Sequence, residues 1–287
     1  MKPPYRFDIL LKHPPRNDMA GDWAGLDRGT GYEFWGLRKY LPGDSWSRID
    51  WKACARSGEL HVREFLRDSA YNLLLICDVS RSMHFGNKFA MTRDLAVSLA
   101  HAALRANNPC GLLLFADKVL TWLPPSAAPR QFHRIVNALQ QIPTIKHRQT
   151  RLAPALEFAM KRLTSCFGVI ISDFHTDLGS LKGLMDAADS RFPAHEMVAL
   201  HVLGDAEYQL TDIEGALLTL KDMESGRQMA LDLSDFQAFN ALLRQERERT
   251  VRVLAGVGID SAVLPVGATD IQARVNTLFA RRLATRI

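Results

Sequence analysis

From Tyr71 onward the chain alternates between two hydrophobic periods. Short continuous apolar runs, the pattern of strands covered on both faces, fall at 71–77, 111–116, 118–123, 167–172, 196–203 and 259–265. Between them apolar residues recur three and four apart. This predicts helices at 88–106, where Met91, Leu95, Leu99 and Ala103 share a face, and at 130–141, 152–164, 179–189, 235–254 and 270–283. Such alternation predicts an α/β fold with a doubly wound, mostly parallel sheet. One stretch breaks the rhythm: ALLTLKD and RQMALDL, separated by MESG, predict a β-hairpin insertion at about 214–233 with Gly226 in its turn.

The first 68 residues read differently. They carry Gly, Pro and Trp without long helical periodicity, so residues 1–68 are expected to form a β-rich extension ahead of a domain spanning 69–287. Leu60 to Phe65 alternates as a strand, and Pro42-Gly43-Asp44 marks a turn. Trp46 and Trp51, among Arg48, Lys52 and Arg56, fit either a contact surface or packing onto the following domain.

Composition narrows the class. The 287 residues are 47% hydrophobic and 23% charged, with a net charge of +5, as in an ordinary globular protein. Residues 1–68 hold 12 Lys or Arg against 10 Asp or Glu, so no basic block argues for a nucleic-acid partner. Cys54, Cys77, Cys110 and Cys166 form no C-x-x-C pair, and a reducing compartment is expected. The opening MKPPYRFDIL lacks an apolar signal region, and no stretch reaches the ~18 apolar residues that span a bilayer. The expectation is a cytoplasmic protein without direct membrane insertion.

The chemistry concentrates at strand ends. Asp78 closes the run LLLIC and is followed by Ser80 and Ser82; Asp173 closes FGVIIS; Thr150 opens the helical pattern of Leu152, Leu156, Met160 and Leu163. In open α/β sheets ligands bind at the carboxyl ends of the strands. Three hydroxyls and two carboxylates suit a hard ion, Mg²⁺ or Mn²⁺, which takes oxygen ligands. Two carboxylates balance a dication and leave it attractive to one further anionic oxygen from outside. Arg81, Lys88, Lys146, Arg148 and Arg151 would give such a site a basic rim able to steer an acidic segment toward the ion. His84 and His175 each stand two residues past a candidate ligand, but the nitrogen and thiolate donors of a zinc site are missing around them.

Asp78, Ser80 and Ser82 in DVSRS, followed by Thr150 and Asp173, resemble the metal-ion-dependent adhesion site of von Willebrand factor A domains. Residues 31–65, GYEFWGLRKYLPGDSWSRIDWKACARSGELHVREF, resemble the signature of the bacterial family called domain of unknown function 58. The resemblance implies a von Willebrand factor A-like fold. It also implies a protein-binding adaptor that works with a MoxR-type AAA+ ATPase, or with that ATPase's client, in complex assembly or metal insertion. Two departures stand out. Thr150 follows His147, Arg148 and Gln149 where A domains often have glycines, and this sequence shows none of the membrane-spanning segments with which many family members begin.

An enzymatic alternative starts from the same Asp78, as the nucleophile of a Mg²⁺-dependent phosphatase of the haloacid dehalogenase type, with Asp173 and Asp177 as its later acids. Such enzymes need a second carboxylate two positions after the first, where this chain has Ser80. There is no GxxxxGK[ST] loop and no G-x-S-x-G elbow, so the expectation is a binding module, not an enzyme.

Overall fold

Alternating and continuous apolar patterns separate into two kinds of sheet. The computed structural model describes residues 3–9, 24–29, 33–41, 44–68, 72–142, 150–163, 165–181, 183–184, 195–210, 217–221, 228–232 and 236–284. Near the N-terminus, β1 (Ala24–Gly29), β2 (Glu33–Lys39) and β3 (His61–Asp68) form an antiparallel sheet in the order β1-β3-β2. A short helix, α1 (Trp51–Ser57), is capped by Asp50, whose carboxylate accepts from the Lys52 and Ala53 amides. Trp46 and Trp51 are 66% and 62% exposed, so neither is packed into a core.

The continuous runs become one six-stranded sheet: β4 (Leu73–Asp78), β5 (Cys110–Phe115), β6 (Val119–Ser126), β7 (Cys166–Ser172), β8 (His195–Leu203) and, after the hairpin strands β9 (Leu217–Lys221) and β10 (Gln228–Asp232), β11 (Asp260–Pro265). The order is β11-β8-β7-β4-β5-β6. All neighbours are parallel except β5 and β6. Pro124 and Pro125 explain the position of β6, because a residue without an N–H is tolerated at an edge and not in the middle. β9 and β10 pair antiparallel as the inserted hairpin; Gly226 lies outside the described residues.

Helices cover both faces. On one face α2 (Lys88–Arg105), α3 (Gln131–Gln140) and the C-terminal helix, the last of the chain, share one apolar core with Leu73, Leu75 and Cys77. On the other α4 (Leu152–Met160) packs on Leu74 and Ile76. Further helices are α5 (Asp205–Tyr208), α6 (Phe236–Gly256), which contributes Leu254 to the second face, and α7 (Ile271–Ala284), the C-terminal helix just named. Six consecutive buried residues in β4 are the direct result of this double cover, which is why its sequence does not alternate. The architecture is consistent with a von Willebrand factor A-like fold. Differences from the expected boundaries are small: α4 stops at Met160, because the chain turns there to enter β7 at Cys166, and only 179–181 and 183–184 of the expected helix 179–189 are described.

The topology places the site. The chain runs from β4 outward to β5 and β6, then returns to build β7, β8 and β11 on the other side of β4. The winding therefore reverses between β4 and β7, and the crevice beyond their carboxyl ends is where such sheets bind ligands.

Candidate metal centre at the switch point

Cys77 pairs with Ile171 in the parallel register, which sets Asp78 level with Ser172. Ser172 Oγ donates to Asp78 Oδ2 at 2.7 Å, and the Ser80 N–H donates to Asp78 Oδ1 at 2.8 Å, folding the chain after β4 back on itself. A 3-10 turn over Ser82–His84, anchored by the buried Met83, brings the Ser82 hydroxyl to 3.1 Å from that of Ser80. Asp78, Ser80 and Ser82 are all buried.

Asp173 follows β7 directly. Phe174 adopts a left-handed backbone with φ of 54°, a strained conformation for a residue with a Cβ, and its buried ring packs edge-on against His201. This kink turns His175 back on Asp173: the His175 N–H donates to Oδ1 at 3.2 Å, and His175 Nδ1 lies 3.3 Å from Oδ2. Thr150 is held from both sides. Its carbonyl accepts from Thr176 Oγ1 at 2.7 Å, and the next amide, of Arg151, donates to the Ala116 carbonyl just past β5 at 2.9 Å. The loops after β4, β5 and β7 thus meet at one edge of the sheet. There the Thr150 hydroxyl is buried and has no hydrogen-bond partner among the described residues.

The two carboxylates titrate in opposite directions. Burial, with the Asp173 charge adding to it, pushes Asp78 up to about 7 against the hydrogen bonds from Ser172 and Ser80. Burial also acts to raise Asp173, but the hydrogen bond and charge of His175, together with Lys88, more than offset it and hold Asp173 well below the usual carboxylate range. His175 is raised in return, first by that hydrogen bond.

Of the expected rim residues, Arg81 is half-buried on the Asp78 loop and Arg151 is exposed. Arg148 and Lys146 lie outside the described residues. Lys88 is not on the rim. Its side chain is fully buried, with Nζ donating to Asp173 Oδ2 at 2.7 Å and to Glu207 Oε1 at 2.6 Å. The cause is geometric: α2 begins at Lys88, and its first side chain reaches inward to the residue that follows β7.

Glu207, on α5 beyond β8, and Ser172 are participants that sequence reasoning missed. Asp173, His175 and Glu207 offer ligand atoms within 4.8 Å of one another, so this cluster can hold a metal ion. It overlaps the set read from the sequence only at Asp173. The two sets differ in how far their donors are already satisfied, since the Lys88 ammonium bridges Asp173 and Glu207, and Glu207 Oε2 takes the Gly204 amide at 2.8 Å. The Thr150 hydroxyl, without a partner among the described residues, belongs to the other set. Two open clefts flank the loop after Asp173. One, of about 650 Å³, is lined by Asp173, His175, His201, Glu207 and Arg247; the other, of about 600 Å³, by Thr150, Arg151, Glu157 and Asp177.

An α/β domain with an oxygen-rich, partly closed pocket at its switch point is the class that fold and site define. The chain belongs to the family described as protein of unknown function DUF58, whose model matches residues 36–252. It is 32% identical over 258 residues to the uncharacterized protein Rv1480 of Mycobacterium tuberculosis, covering 86% of this chain and 79% of that one. It is 33% identical over 76 residues to YeaD of Bacillus subtilis, covering 26% of this chain and 18% of that one. Among solved structures, an aerotolerance-related membrane protein from Bacteroides fragilis is similar at 17% identity and a TM-score of 0.49, over 74% of this chain and 100% of that one. BatB from Bacteroides thetaiotaomicron is similar at 16% identity and a TM-score of 0.49, over 75% of this chain and 100% of that one. Among the described residues of the present chain, no helix is long and apolar enough to cross a membrane.

Proposed function

We propose that the chain is a metal-dependent protein-binding module. In this reading Asp78, Ser80, Ser82, Thr150 and Asp173 hold Mg²⁺ or Mn²⁺, and an acidic side chain of a protein partner completes the coordination. The ion would supply a Lewis-acidic docking point. The chain's own residues do the rest: Ser172 and the Ser80 amide orient Asp78, Thr176 and Ala116 position Thr150, and Arg81 and Arg151 draw in an anionic segment. A MoxR-type AAA+ ATPase or its client, in the cytoplasm, is the partner that the resemblance to the family suggests.

The observation that carries the reading is the Thr150 hydroxyl, buried without a partner among the described residues, in a loop tied by its backbone to the loops that follow β5 and β7. A buried unsatisfied hydroxyl costs roughly 1–3 kcal/mol, and an ion ligand would offset that cost. Thr150→Val removes the hydroxyl at nearly constant volume. It is expected to leave the protein in EDTA as stable as wild type or about 1 kcal/mol more stable by urea denaturation, while weakening Mg²⁺ binding at least about tenfold by calorimetry. Equal Mg²⁺ affinity in the two proteins would overturn the assignment of Thr150 and with it the five-residue site.

A docking role rather than hydrolysis is supported by the state of Asp78, which is wholly buried with both oxygens accepting hydrogen bonds, a poor disposition for a nucleophile. The purified protein is expected to release no phosphate from small phosphoesters in Mg²⁺ and to form no aspartyl-phosphate. Turnover that disappears in Asp78→Asn would replace the binding reading with the phosphatase one.

A further inference from the structure

Lys88 opens α2 and buries its whole side chain, including the ammonium. An ammonium withdrawn from water is costly unless carboxylates meet it, and Asp173 Oδ2 and Glu207 Oε1 do so at 2.7 and 2.6 Å. The remaining oxygens of the same two residues are also engaged, Asp173 Oδ1 by the His175 amide and Glu207 Oε2 by the Gly204 amide. A fixed positive charge is therefore built into the wall of the site, on one of the two carboxylates assigned to the ion.

We infer that Lys88 is a resident counter-cation that sets the metal affinity of the site, neutralising Asp173 in the metal-free protein and opposing the ion when it binds. The inference rests on the ion site proposed above. A dication ligated by the Asp173 carboxylate would share that carboxylate with Nζ, so the two positive charges would be close neighbours. Repulsion between charges held on these two fully buried side chains is screened little by salt. Glu207 acts in the opposite sense by taking half of the ammonium's hydrogen bonding away from Asp173. The consequence is a site that keeps its shape without the ion and exchanges it readily.

The test is calorimetric titration of Mn²⁺ into the full chain at pH 7.5, for wild type, Lys88→Met, Glu207→Gln and the double variant Lys88→Met/Glu207→Gln. Lys88→Met is expected to tighten Mn²⁺ binding at least about tenfold and to lower the melting temperature in EDTA, with Mn²⁺ restoring more stability than it adds to wild type. The double variant carries neither member of the Lys88 and Glu207 pair, so it folds without that pair's unmatched charge, and it too is expected to bind more tightly than wild type. Glu207→Gln alone is expected to bind several-fold more weakly, since the ammonium then rests on Asp173 alone. Tighter binding in Lys88→Met that returns to the wild-type value in the double variant would assign the effect to the bare Glu207 carboxylate and overturn the inference. Wild-type binding with no change in either Lys88 variant would sink the inference and leave the ion site standing, whereas absence of Mn²⁺ binding in all four proteins would remove both.

Discussion

Asp78→Asn is expected to stabilise the metal-free protein by roughly 2–4 kcal/mol at pH 8, although it alters a fully buried residue at the centre of the site. The reason lies in the direction of its titration. Folding pushes Asp78 up to about 7 from an ordinary 3.8, chiefly through burial. Below pH 3.8 the carboxyl is neutral in folded and unfolded chains alike and contributes nothing. Between the two values the folded protein holds a proton that the unfolded chain releases, so stability falls as pH rises, and above pH 7 the whole penalty applies. The Asn amide keeps the shape and the Ser80 contact without the charge. The gain over wild type in EDTA should therefore be near zero at pH 4, grow through pH 6 and level off above pH 7, as read by urea denaturation. Saturating Mg²⁺ should reverse the order, because the ion compensates the wild-type carboxylate and has no comparable partner in the variant. A variant that is less stable than wild type in EDTA at pH 8 would show that Asp78 is not the strained member of the pair.

Why part of this site was legible and part was not follows from what a linear pattern encodes. Burial on both faces wrote β4 and β7 as continuous apolar runs, and the first charged residue after each run, Asp78 and Asp173, had to fall near a strand end whatever the loop geometry. The parallel pairing of these two strands then made their ends neighbours. Lys88 was misplaced because a lysine at the head of an amphipathic helix carries the same sequence signal whether it points to water or inward, and only the placement of α2 in the fold decides between them. Glu207 left no signal at all. It sits on the four-residue helix α5, too short for periodicity, and it reaches Lys88 across 119 positions of sequence. The strained backbone at Phe174, which turns His175 onto Asp173, was equally silent, since nothing about a Phe announces a left-handed φ.

Asp173→Asn is expected to act against the grain of Asp78→Asn, destabilising the protein by about 3–5 kcal/mol at pH 7. The two aspartates are candidate ligands of the same ion, but the folded protein treats them differently. Asp78 is surrounded by neutral donors, Ser172 and the Ser80 amide, whereas Asp173 is the shared partner of Lys88 and His175. Asn at 173 would leave the buried ammonium with Glu207 alone, and breaking a buried pair from one side exposes the desolvation cost of the charge that stays. The folded protein holds Asp173 well below the usual carboxylate range, so its contribution is present at neutral pH and lost as pH falls below about 4 and on through its folded value. The deficit of the variant should accordingly be largest near pH 7 and shrink in acid, the mirror image of the Asp78→Asn curve. Adding Mg²⁺ should not repair it, because a dication cannot replace an anion next to Lys88. Urea denaturation at pH 7 and pH 3.5, each in EDTA and in Mg²⁺, reads all of these terms. Stability equal to wild type at pH 7 would mean that Lys88 does not depend on Asp173, and the arrangement of charge at the switch point would have to be redrawn.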